Sequence, residues 1–202
     1  MIINNKNILI TKKSLLLWFL LAFFCAPTSI FIHETGHYIG AKVLGYANTE
    51  LHYASVSRGN SPEKKESKRK RGLIVASGPF ITLISTLLCF LFVIMTRNPF
   101  FIVLGILLPL RSIATLIAGI SLLFRVDAAT LQKNDEVKLA GFLDIPLVIP
   151  IGISVLLLIT TLMFMVSKIN KLNRKKIILS IIVGTILGSW VWLNFFGPQL
   201  LP

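Results

Sequence analysis

Apolar runs of near-bilayer length leave this chain little choice of fold. Residues 14–45, 73–95, 98–124, 145–167 and 177–196 are each almost free of charge. A hydrocarbon core about 30 Å thick needs roughly 20 such residues in a helix. Backbone polar groups in lipid must bond within their own segment, so helices are the natural solution. The composition agrees: 54% of the 202 residues are hydrophobic and 14% charged, against about 25% charged in a soluble domain. The expectation is an all-α integral membrane protein, multi-pass, with about five transmembrane helices in one polytopic domain spanning 1–202.

The segments between the runs carry the charge. Lys and Arg number 21 against 8 Asp and Glu, a formal net charge of +13. Basic residues flanking apolar spans suit anionic lipid head groups, and no nucleic-acid partner is expected. Within the polar loop 46–72, TELHYASVS alternates like a short membrane-surface hairpin. RGNSPEKKESKRKRG has no apolar period and reads as solvated loop. A second, acidic island covers 125–144, and 145–196 holds the last two spans. The positive-inside rule does not orient this layout, because basic loops fall on both sides. Pro27 is expected to kink or interrupt the first helix. The basic start before that helix resembles a signal peptide, but the apolar run continues into a histidine motif without a convincing cleavage site. It is expected to be a retained span. Cys25 and Cys89 lie in apolar segments and form no CxxC site.

An ionisable group inside a span is costly unless paired or functional. Of all acids and histidines, His33, Glu34 and His37 alone fall within a long apolar helix, in FIHETGHYIG. At about 100° per residue, His33 and His37 lie about 40° apart on one helix face, one turn apart in height. Two imidazoles so placed can meet one metal ion, with Glu34 beside it as a general base. Gly36 would let another helix pack closely. A catalytic zinc needs a third protein ligand. The soluble extension HExxHxxGxxH matches through Gly40 but ends in Val43, which excludes it. His52, in the hairpin, is a weak candidate, and a distant carboxylate is better.

FIHETGHYIGAKVLG, SGPFITLIS and the later acidic island together resemble the site-2 proteases, intramembrane zinc metallopeptidases. The resemblance covers roughly residues 14–146. It implies that Zn2+ is held by His33, His37 and an aspartate opening a later helix, and that Glu34 takes a proton from the attacking water. It implies a transmembrane peptide or protein substrate, in a bacterial plasma membrane. In that family a Gly-Pro in the second span is followed by an Asn; here Gly78-Pro79 is present and Thr82 stands at the Asn position. Gly78, Pro79 and Thr82 are accordingly expected to contact substrate. The family's LDG setting is missing, but NDEVKLAGFLDIP resembles the looser pattern of the small bacterial branch. Asp135 is therefore favoured as third ligand over the alternative, Asp127, because Leu139-Ala140 and Ile145-Pro146 fit the family spacing. Arg111 is read as an interface residue or as the partner of an acid. The rival reading is a non-proteolytic membrane metal-binding or accessory protein of the same fold; a metal transporter, which would spread acids over several spans, ranks third.

Overall fold

The computed structural model describes residues 12–58, 67–110, 113 and 134–201. Its first helix, α1 (Lys12–Val43), is 32 residues long, or about 48 Å. It runs through Pro27 without interruption. A tight bend at Gly45, in the left-handed region at φ 81°, then leads into a hairpin of β1 (Glu50–His52) and β2 (Ser55–Ser57), antiparallel with Leu51 opposite Val56. The alternation in TELHYASVS is thus realised as two three-residue strands.

Helix α2 (Lys68–Thr96) begins five residues before its apolar run. Ser67 caps it by accepting a hydrogen bond from the Lys70 amide at 3.3 Å, so the Lys68–Arg71 basic cluster belongs to the helix rather than to the loop. Asn98 caps the next helix, α3 (Pro99–Leu107), through the Phe100 amide at 2.9 Å. A 3-10 turn extends it to Leu110. Ile102 through Leu107 are all buried, as expected of a helix covered on every side. Where a third crossing is expected over 98–124, the described part is this short core helix. Arg111, Asp127 and most of the remainder lie outside the described residues. Helices α4 (Asp135–Leu143), α5 (Val148–Ser167) and α6 (Arg174–Val191) follow, and a π turn at Trp192–Phe196 leads into α7 (Gly197–Leu200).

Among the described residues four helical stretches, 13–43, 68–96, 148–167 and 171–200, are long and apolar enough to cross a membrane. Their outward residues are large and apolar: Phe24, Met95, Leu156 and Ile186 are all more than 60% exposed. Such a surface fits lipid and not water, consistent with a multi-pass membrane protein.

Close helix contacts set the bundle. Gly36 of α1 meets the Ser77 carbonyl and Gly78 of α2, and Gly40 meets Ser77 again, which makes α2 antiparallel to α1. Gly184 and Gly188 of α6 sit on the backbones of Phe19 and Phe23, which makes α6 parallel to α1. Small residues four apart permit this approach in both pairs. It follows that α2 ends, and α6 begins, at the end of the bundle where α1 begins. Helix α5, joined to α6 by a short turn, starts at the opposite end, so Asn98 and Val148 lie at opposite ends of the bundle. The core between the spans contains Val93, Val103, Leu107, Leu108 and Met165, all at most 2% exposed. Cys25 and Cys89 are buried thiols within it.

Candidate metal centre

His33 lies ten residues before the end of α1, about 15 Å inside the span. Its position and that of His37 follow from one turn of helix. The third member of the group, Asp135, comes from the first residue of α4. A carboxylate suits the amino end of a helix, where unpaired amides give a partial positive charge. His33 Nε2 lies 2.9 Å from Asp135 Oδ2, His37 Nε2 lies 3.2 Å from the same oxygen, and the two Nε2 atoms are 3.1 Å apart. Three donor atoms thus converge on one point, and the group can hold a metal ion.

The neighbours orient both rings. His37 Nδ1 is 2.9 Å from the carbonyl of Ile74. A carbonyl only accepts, so Nδ1 carries the proton and Nε2 is left to face His33 and Asp135. His33 Nδ1 is 3.1 Å from Thr82 Oγ1, whose own hydroxyl donates to the Gly78 carbonyl at 3.1 Å. Thr82 therefore accepts from His33, and His33 Nε2 also faces the group. Two ring nitrogens with lone pairs and a carboxylate oxygen can share this space only around positive charge, either imidazolium protons or a cation. A second ring N–H held by carbonyl or hydroxyl oxygen is the usual support of a metal-binding histidine. Gly78 completes the seat, since a Cβ there would run into the His37 ring.

Burial by itself would raise the Asp135 carboxyl. Hydrogen bonds and charge from His33 and His37 overcome that effect and hold it well below the usual carboxylate range. On its other side, Lys138 Nζ approaches Asp135 Oδ1 at 3.8 Å, one turn along α4. The neighbouring Glu136 ties α4 to α5 by accepting a hydrogen bond from Ser154 Oγ at 2.9 Å.

A cavity of about 390 Å³ opens beside the group. Glu34, His37 and Asp135 form one wall, Ala54, Ser55 and Val56 of the hairpin another, and Arg58 and Lys138 bring positive charge. Glu34 is itself only 4% exposed and lines this cavity. A second, mainly apolar cavity of about 500 Å³ lies between α2 and α5.

The structure brings together His33, His37 and Asp135, and places Glu34 on the wall of the adjoining cavity. Two residues expected at substrate, Gly78 and Thr82, are found supporting the histidines, and Pro79 lines the apolar cavity. His52 sits on β1 and is not in the donor group. The alternative ligand Asp127 lies outside the described residues. Sequence reasoning missed the Ile74 carbonyl and Lys138. The first leaves no side-chain signal; the second, three residues after Asp135, was visible only as an ordinary helical charge pair. Comparison with protein-family models, with curated proteins and with solved structures finds no match to this chain.

Proposed function

We propose that the protein is an intramembrane zinc metalloendopeptidase that hydrolyses a peptide bond in or near a transmembrane segment. The observation that carries this reading is the convergence of His33, His37 and Asp135 with Glu34 lining the adjoining cavity. Zinc fits the donor set. Bonds of about 2.0–2.2 Å at tetrahedral angles hold such donors about 3.3 Å apart, and the three separations here are 2.9, 3.1 and 3.2 Å. When bound, zinc supplies Lewis acidity, which polarises a carbonyl and makes water a source of nucleophile near neutral pH.

The chain's own residues do the rest. Glu34 takes the proton from water as its oxygen bonds to the substrate carbonyl carbon, and it returns that proton to the amide nitrogen as the C–N bond breaks. Glu34 suits this role because it is held beside the donors by α1 without being one of them. His37 and His33 are fixed in the tautomer that a metal requires by Ile74 and Thr82. A peptide bond inside a helix hides its carbonyl and amide, so the substrate must be extended at the cut. Ser55 and Val56 supply a strand beside the cavity, and an extended segment can add to such an edge. On the resemblance, the substrate is a membrane-spanning protein in a bacterial plasma membrane. Thr82, which stands at the family's Asn position, has a use at the site as the acceptor for His33.

The test is to purify the protein in detergent, measure zinc per chain, and follow cleavage of single-span substrates. Glu34→Gln is expected to keep its zinc and lose roughly 10²- to 10⁴-fold in rate. Asp135→Asn is expected to lose both. A zinc-loaded Glu34→Gln protein that cleaves as fast as wild type would sink the assignment.

A further inference from the structure

The hairpin that walls the cavity is a poor candidate to stand alone. Each strand has three residues, and an isolated two-stranded hairpin is marginal even when longer. Its two-residue turn is Tyr53-Ala54. The turns that match the twist of paired strands need positive φ at one or both central positions. Neither Tyr53 nor Ala54 has it. Something outside the hairpin must hold its tip.

That support comes from the end of the chain. The Tyr53 amide donates to the Leu201 carbonyl at 3.1 Å, and the Tyr53 carbonyl accepts from Trp192 Nε1 at 3.0 Å. Both backbone groups of Tyr53 are thereby tied to the C-terminal segment. Gly197 closes the grip: a Cβ at this position would lie 2.8 Å from Cβ and from Cδ2 of Tyr53. In an α-helix, residues five apart point about 140° away from each other. Between Trp192 and Gly197 the chain instead makes a π turn, closed by the Gly197 amide on the Trp192 carbonyl. The wider turn brings both residues round to Tyr53. Insertions of this kind are frequent at functional sites.

We propose that Trp192 and Gly197 are positioning residues for the cavity, clamping the hairpin tip so that Ala54, Ser55 and Val56 stand at a fixed distance from Glu34 and His37. Neither belongs to the donor group or lines the cavity. Their effect is therefore on how an extended segment is received, not on metal binding. The clamp itself is a structural claim; its consequence for turnover rests on the peptidase reading.

The experiment compares zinc-loaded wild type with Trp192→Phe, which keeps the ring and removes the N–H donor, and with Gly197→Ala. Amide hydrogen exchange of the 54–57 segment is expected to rise about fivefold to tenfold in Trp192→Phe, the effect of losing one hydrogen bond, and to rise in Gly197→Ala as well, where the new methyl pushes against Tyr53. Zinc per chain and exchange along α1 should stay unchanged. On a cleaved substrate, KM is expected to rise several-fold with kcat nearly constant, as for loss of binding felt equally in ground and transition states. Unchanged exchange at 54–57 in both variants overturns the clamp, and so does a rise spread equally over α1 and α6. If wild type cleaves nothing, the peptidase reading fails while the exchange measurement still decides the clamp.

Discussion

At the residue scale, the centre depends as much on the absence of atoms as on their presence. Gly78 leaves room for the His37 ring, and Thr82 fixes the tautomer of His33. Gly78→Ala is expected to displace the imidazole and lower metal affinity sharply, and Thr82→Val to lower it about 10- to 100-fold, the usual cost of losing a ligand's supporting hydrogen bond. Thr82→Ser should retain most of it. Competition with a fluorescent chelator measures all three; unaltered affinity in Thr82→Val would show that His33 needs no such support. His33, Glu34 and His37 were legible in the sequence because helical spacing converts directly into geometry. Asp135 was legible only through a family resemblance, since nothing local says that a residue 98 positions after His37 comes to lie 3.2 Å from it. The roles of Gly78 and Thr82 were not legible, because they arise where two helices touch.

At the element scale, the helices were readable from their apolar runs, and the errors have physical causes. Helix α2 begins early because Ser67 caps a basic turn that hydropathy alone assigns to solvent. Pro27 does not break α1, although it has no N–H for the carbonyl of Phe23. That oxygen faces Gly188 of α6, where a Cβ would collide with it. The pairing of a helix-interior proline with a partner glycine was not visible from either segment alone. Gly188→Ile is expected to force α6 away from α1 and to destabilise by about 1–3 kcal/mol, the typical cost of overpacking. Gly152→Ala, on α5, has open space around the new methyl and is expected to be neutral or to stabilise by about 0.5–1 kcal/mol. Equilibrium unfolding in mixed micelles compares them. Equal stability of the two variants would mean that the glycine contact does not set the α1–α6 distance.

At the scale of the whole molecule, the centre links α4 to α1 through Asp135 and the two histidines. Helices α1 and α2 are locked by their small faces, and α6 is locked onto α1. Helix α4, nine residues long, meets the spans through Asp135 at the histidines and Glu136 at Ser154, and its Phe142 and Leu143 lie against Gly72 of α2. Ala140 is its one buried residue. A metal ion bound at His33, His37 and Asp135 would therefore add its binding energy to the docking of α4. Metal that binds only the folded protein stabilises it by about 4 kcal/mol when free metal is 1,000 times Kd. For a chain of this size each kcal/mol moves Tm by roughly 2–4 °C, so chelation is expected to lower Tm by about 8–16 °C. The loss should be local first, with exchange in the 135–143 segment rising before that in α2 or α6. Asp135→Asn should start near the chelated value and respond little to chelator. Glu34→Gln should respond like wild type, because Glu34 is not one of the three donors. Calorimetry with and without chelator, paired with segment-resolved exchange, reads each of these arms. A wild type whose Tm ignores chelation would mean that the three donors meet without metal and are held together by protons on the imidazoles.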